Sequence, residues 1–165
     1  MENLLINKTE IEQKGFCIIN DIYSSEELGL MIHLIDKLNT SKATFRKSED
    51  LFAIRQFIKE LPDIKEIIFN KNLKSVINTI FGNDYFIVKS IYFDKPEKSN
   101  WFVSYHQDLT ISVDQKKEID GFNFWTSKHN QYAVQPPTPL LENIFTIRIH
   151  LDDTDEENGA LKVIE

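Results

Sequence analysis

Tyr85-Phe-Ile-Val-Lys-Ser-Ile-Tyr-Phe93, YFIVKSIYF, is where the chain changes its period. Its β-branched and aromatic residues predict a strand, and Asp94-Lys-Pro96 follows with turn chemistry. Upstream the period is helical. Leu28, Met31, Ile32, Ile35 and Leu38 recur at helical spacing behind Ser24 and Glu27, which have the spacing of a capping box. A short helix is expected over 9–14, stopped by Gly15, then a strand over 16–20. A second helix is expected over 50–61, ending before Pro62. A third, broken one is expected over 63–81, with Gly82 as its C-cap.

Downstream the pattern predicts strands. Trp101 to Gln107 is one, and Phe145 to Asp152 alternates apolar Ile147, Ile149 and Leu151 with polar Arg148, His150 and Asp152. Asn158-Gly159 is a turn signal, and Ala160 to Ile164 begins a further strand. The stretch 114–143, with Pro136, Pro137 and Pro139, reads as one long irregular loop of the kind that serves as a lid or binding loop. The expected class is α+β in a single domain over 1–165, helical over 1–84 and β-rich over 85–165.

Composition narrows the function. The chain has 165 residues, enough to bury roughly 70% of the surface of its unfolded state. Its formal charge of -7, with dispersed lysines, argues against nucleic acid and against a membrane surface. The single cysteine, Cys17, sits in the apolar run Phe16-Cys-Ile-Ile19 and reads as a small buried hydrophobe, consistent with a reducing cytoplasm. The N-terminal MENLLINKTE has no signal-peptide pattern, and no apolar run reaches membrane-spanning length. The expectation is a cytoplasmic protein whose partner is a small molecule.

Chemistry concentrates at Tyr105-His-Gln-Asp108. On a strand, residues i and i+2 share a face. His106 and Asp108 would then aim an imidazole nitrogen and a carboxylate at one point. Those are two neighbouring ligands of the 2-His-1-carboxylate triad that holds Fe(II) and leaves positions open. The competing reading is a partly exposed histidine bonded to a nearby aspartate in a turn.

The wider context decides between them. Phe93-Asp-Lys95, Asn100-Trp101, Tyr105-His-Gln-Asp108, Val134-Gln-Pro-Pro137, Arg148-Ile-His-Leu-Asp-Asp153 and Asn158-Gly-Ala-Leu161 occur in an order and spacing that resembles the phytanoyl-CoA dioxygenase family of Fe(II)/2-oxoglutarate-dependent oxygenases. The resemblance implies that His106 and Asp108 are iron ligands. It also implies that 2-oxoglutarate and O2 are co-substrates, and that the oxidised iron removes a hydrogen from a small-molecule substrate. Trp101, Tyr105, Gln107, Trp125, Gln135 and His150 become pocket candidates, with plain core packing an equal reading for the aromatic ones. Arg148 either meets a 2-oxoglutarate carboxylate or pairs with one of the many acids nearby. His129 reads as a solvated loop residue and His33 as a structural or solvated one. No CoA-binding patch is evident, so the family name does not specify the substrate.

The family continues after its Asn-Gly turn with a Pro-Gly-Ser-His segment, a second iron histidine and an arginine for 2-oxoglutarate. Here the sequence reads Ala160-Leu-Lys-Val-Ile-Glu165. The expectation is therefore a C-terminally truncated double-stranded β-helix (a jelly-roll or cupin-like fold) lacking its last strands, with impaired oxygenase activity. A non-catalytic pseudoenzyme or binding protein of the same fold is the alternative, and a cupin-like Zn2+ hydrolase ranks third. Asp152-Asp-Thr-Asp-Glu-Glu-Asn158 fails the EF-hand template because Gly159 falls one place late. No phosphate loop, cysteine-pair zinc motif or serine nucleophile elbow is present.

Overall fold

The computed structural model describes residues 2–38, 45–48, 51–94, 104–128, 131–156 and 160–164. The class is α+β, with helices and two small antiparallel sheets. The chain divides into two compact units: Met1–Thr40, Ile58–Phe86 and Leu161–Glu165 form one, and Ser41–Phe57 with Ile87–Ala160 form the other.

The first unit is helical. Helix α1 spans Glu2–Lys14, longer than the expected 9–14, and ends where Gly15 adopts φ 83° while its N–H still reaches the Ile11 carbonyl at 2.9 Å. Glycine takes this left-handed conformation without the Cβ penalty. Residues 16–20, expected as a strand, join no sheet. Helix α2, Ser25–Asp36, carries the capping box in full: Ser24 Oγ accepts from the Glu27 N–H at 3.2 Å, and Glu27 Oε2 accepts from the Ser24 N–H at 2.8 Å.

The broken helix over 63–81 is also present, as a 3-10 turn at Pro62–Ile64, helix α4 at Lys65–Ile68 and helix α5 at Lys71–Ile80. The break falls at Asn70, whose extended backbone lets its side chain accept from the Leu73 N–H at 2.9 Å and start a new helix. Gly82 ends α5 at φ 99°, donating to the Ile77 carbonyl at 3.1 Å. Met31 and Ile35 of α2, Leu61, Ile64, Ile68, and Leu73, Val76 and Ile80 of α5 make this unit's core. α1 packs against α5.

The second unit holds both sheets. Strands β1 (Phe45–Ser48), β2 (Leu51–Arg55) and β3 (Ile91–Asp94) form one antiparallel sheet in that order. The helix expected over 50–61 is thus a strand as far as Arg55, followed by the one-turn α3, Phe57–Glu60. The physical reason is that Leu51-Phe-Ala-Ile54 is a continuous apolar run, which periodicity cannot assign to helix or buried strand. Two partner strands settle it. β2 is the central strand, Ala53 pairs with Phe93 and Ile54 with Tyr92, and Ala53 and Ile54 are both buried. Phe57 stacks on Tyr92 with ring centroids 5.5 Å apart. Only the last part of YFIVKSIYF enters the ladder, and Tyr85, Phe86 and Ile87 are exposed.

Strands β4 (Ile111–Val113), β5 (Asn123–Lys128) and β6 (Gln131–Gln135) form the second sheet, ordered β4-β6-β5. The expected long loop over 114–143 therefore contains two strands and the one-turn helix α6, Thr138–Leu141. A bulge between Asn123 and Thr126 shifts their register, and Phe124 within it takes φ 53°. Ile111 pairs with Val134, and both are buried. The expected strands over 145–152 and 160–164 join neither sheet, and of 101–107 only 104–107 are described, likewise outside a sheet. Alternation sets which faces a strand would show. A strand also needs a partner edge, and among the described residues these segments pair with none.

Candidate functional site

The site begins with a backbone contact. The Ser112 N–H, in β4, donates to the Val88 carbonyl at 3.3 Å. That bond holds the start of β4 next to the segment leading into β3. The residues before β4, 104–110, run irregularly and exposed up to Leu109. His106 and Asp108 lie in this lead-in rather than on a strand, so the shared-face geometry expected of a regular strand is not what positions them.

His106 is oriented locally. Its Nδ1 lies 2.8 Å from the Ser104 carbonyl. A carbonyl oxygen can only accept, so Nδ1 carries the hydrogen and, in the neutral ring, Nε2 keeps the lone pair. Metal-binding histidines commonly use this arrangement, with one ring nitrogen donating to a carbonyl and the other free to ligate. Asp108 has a side chain 78% exposed, and Lys89 Nζ lies 3.7 Å from its Oδ1. The competing reading of His106, a bond to a nearby aspartate, is not the contact it makes with Nδ1.

The donor chemistry of this pair fits a ferrous ion: an imidazole with Nε2 available, and an accessible carboxylate two residues on. Among the described residues, no group of three or more His, Cys, Asp or Glu side chains is placed to hold a metal. No third such side chain joins His106 and Asp108 among the described residues.

The other sequence candidates are more dispersed. Trp101 and His129 lie outside the described residues. Tyr105 and Gln107 are exposed beside His106. Trp125 is half-buried on β5, and Gln135, half-buried at the end of β6, pairs with Asn123. His150 is exposed, with Nδ1 3.1 Å from Thr154 Oγ1, and that hydroxyl donates to the Asp152 carbonyl at 3.4 Å. It is thus engaged within its own turn. Arg148 is exposed.

Sequence reasoning missed Lys89, which stood in the apolar context of Ile87-Val88-Lys89 as an ordinary strand residue. It also missed the polar clamp between α2 and α5, where Asn70 Nδ2 donates to the Ile22 carbonyl at 3.0 Å and to Glu27 Oε1 at 2.9 Å. Two surface grooves of the helical unit, of about 670 and 620 Å3, lie around this clamp and beside α1, and neither contains His106 or Asp108. Cys17 is half-buried, and burial together with the Glu10 charge pushes its thiol pKa up, which suits an inert side chain. Among the described residues no helix is long and apolar enough to cross a membrane.

Neither the curated proteins nor the solved structures yield a match. The family model described as phytanoyl-CoA dioxygenase (PhyH) matches residues 11–165, which includes the His106-Gln107-Asp108 segment and both sheets. Members of that family generally are iron- and 2-oxoglutarate-dependent dioxygenases. With nearly its whole length matched, this chain belongs to the phytanoyl-CoA dioxygenase (PhyH) family.

Proposed function

We propose that the protein is an Fe(II)/2-oxoglutarate-dependent dioxygenase of hydroxylase type acting on a small molecule, with His106 Nε2 and the Asp108 carboxylate as iron ligands. The observation that carries the reading is the Nδ1 bond of His106 to the Ser104 carbonyl. It presents Nε2 as a donor two residues from an accessible carboxylate in a chain of this family.

When bound, the iron supplies activation of O2 coupled to oxidation of 2-oxoglutarate. The chain's own residues do the rest. The Ser104 carbonyl fixes the tautomer and ring orientation of His106. Asp108 supplies negative charge to a divalent ion. Arg148 is the proposed partner of a 2-oxoglutarate carboxylate, which suits its planar, permanently charged fork. Trp101, Tyr105, Gln107, Trp125, Gln135 and His150 are the proposed pocket residues. The proposed scaffold is a jelly roll of the cupin type, a reading supported by antiparallel pairing throughout both sheets. A cytoplasmic location accords with the lone cysteine.

The test is anaerobic titration with Fe(II) or Mn(II), with and without 2-oxoglutarate, read as a shift in melting temperature and as succinate formed on admitting O2. Ligands that bind only the folded chain raise its Tm. A metal- and 2-oxoglutarate-dependent rise, lost in His106→Ala and Asp108→Asn, supports the reading. Identical melting curves with and without these ligands would exclude it.

A further inference from the structure

We propose that Lys89 is a resident counter-cation of the candidate metal site: its ammonium competes with a divalent ion for the Asp108 carboxylate and so lowers the site's affinity. The proposal rests on the reading of His106 and Asp108 as metal ligands, and it concerns how tightly they bind rather than what they catalyse.

Val88 and Lys89 precede β3, and the Ser112 N–H bond to the Val88 carbonyl ties that segment to the start of β4. Asp108 stands just before β4, so the same bond brings Lys89 within reach of it, and Nζ lies 3.7 Å from Oδ1. The backbone bond sets the two segments side by side, and the exposed side chains make the contact. Lysine suits the role. Its ammonium is a compact point charge on a flexible stem, able to occupy one carboxylate oxygen and to withdraw when a doubly charged ion arrives.

Two effects then act with the same sign. The metal must displace the ammonium from Asp108, and the displaced ammonium remains a nearby positive charge that repels the ion. Both groups are substantially exposed, with side chains 39% and 78% accessible, so the effect is modest and screened by salt. Exposed pairs of this kind correspond to about a two- to five-fold change in an equilibrium constant.

The experiment is Mn(II) titration of the full chain, followed by loss of the free-ion EPR signal. It compares the wild type, Lys89→Met, Lys89→Arg and Asp108→Asn at ionic strengths of about 0.01 M and 1 M, where the Debye length is about 30 and 3 Å. The expected result is about two- to five-fold tighter binding by Lys89→Met at low salt. That gap closes at high salt, Lys89→Arg stays near the wild type, and Asp108→Asn binds far more weakly. Unchanged or weaker binding by Lys89→Met, with Asp108→Asn still defective, overturns the role of Lys89 and leaves the ligand reading standing. Wild-type affinity in Asp108→Asn overturns the ligand reading itself, and the proposal with it.

Discussion

The Tyr23 hydroxyl donates to the Ile68 carbonyl at 2.8 Å, joining residues 45 apart in sequence. Ile68 closes α4, where the last carbonyls of a helix have no partner within it. Tyr23 supplies one, from the turn just before α2. Burial and then the Glu27 charge push the Tyr23 pKa well above the ordinary phenol range. Tyr23→Phe should cost about 1 kcal/mol, because it removes the bond and leaves the carbonyl without that donor. Urea unfolding at neutral pH measures it.

The same residue sets an alkaline limit. A phenol whose pKa is raised by folding contributes stability that is complete below its unfolded value of about 10 and is lost as pH rises from there toward the folded value. Melting temperatures taken from pH 8 upward should fall more steeply in the wild type than in Tyr23→Phe. Parallel curves would show that Tyr23 is not the group responsible.

Glu27 contributes on the acid side. Its carboxylate accepts first from the Ser24 backbone N–H and then from the Asn70 amide, and both lower its pKa. A carboxyl lowered by folding contributes stability that is complete above its unfolded value of about 4.3 and is lost as pH falls through the folded one. Glu27→Gln keeps an acceptor but removes the charge. Its stability should vary less with pH below about 4.3 than that of the wild type, measured by denaturant midpoints across that range.

Gly121 is a packing test in the other unit. It has φ 81°, and a Cβ built there would lie 3.0 Å from Pro137 Cγ. Pro137 cannot swing aside as a long side chain would. Gly121→Ala should destabilise the fold by roughly 1–2 kcal/mol, from left-handed backbone strain plus this contact. Alanine at Gly29, a helical position with open space around it, is the control expected to be neutral or stabilising.

Substitutions at the candidate site should separate binding from stability. His106 and Asp108 are exposed and lie outside both sheets. His106→Ala and Asp108→Asn should therefore change unfolding free energy by no more than about 0.5 kcal/mol, while abolishing the metal-dependent rise in Tm. A large loss of stability in the metal-free state would mark them as structural residues.

Legibility followed the range of the interactions. The capping box at Ser24 and Glu27, the Gly15 and Gly82 helix ends and the break in the helix over 63–81 were readable because each rests on bonds within a few residues. The apolar run Leu51–Ile54 was not, since the same run serves a helix or a buried strand until β1 and β3 flank it. Phe145–Asp152 shows the converse: its alternation is clear, yet it joins no sheet among the described residues. At the site, the His106-Gln107-Asp108 spacing and its family context were on the surface of the sequence. The contacts of those side chains were not.

The sequence by itself determined the capping box that starts α2, the helix ends at Gly15 and Gly82, the broken helix over 63–81, the α+β class, and the family through its short motifs, because helix hydrogen bonds and motif spacings are local properties of the chain. Only the tertiary structure decided that β2 is a central strand, that β5 and β6 occupy the apparent loop, and that Lys89 stands beside Asp108. Those features depend on partners far away along the chain, and a pairing edge has no local signature until its partner arrives.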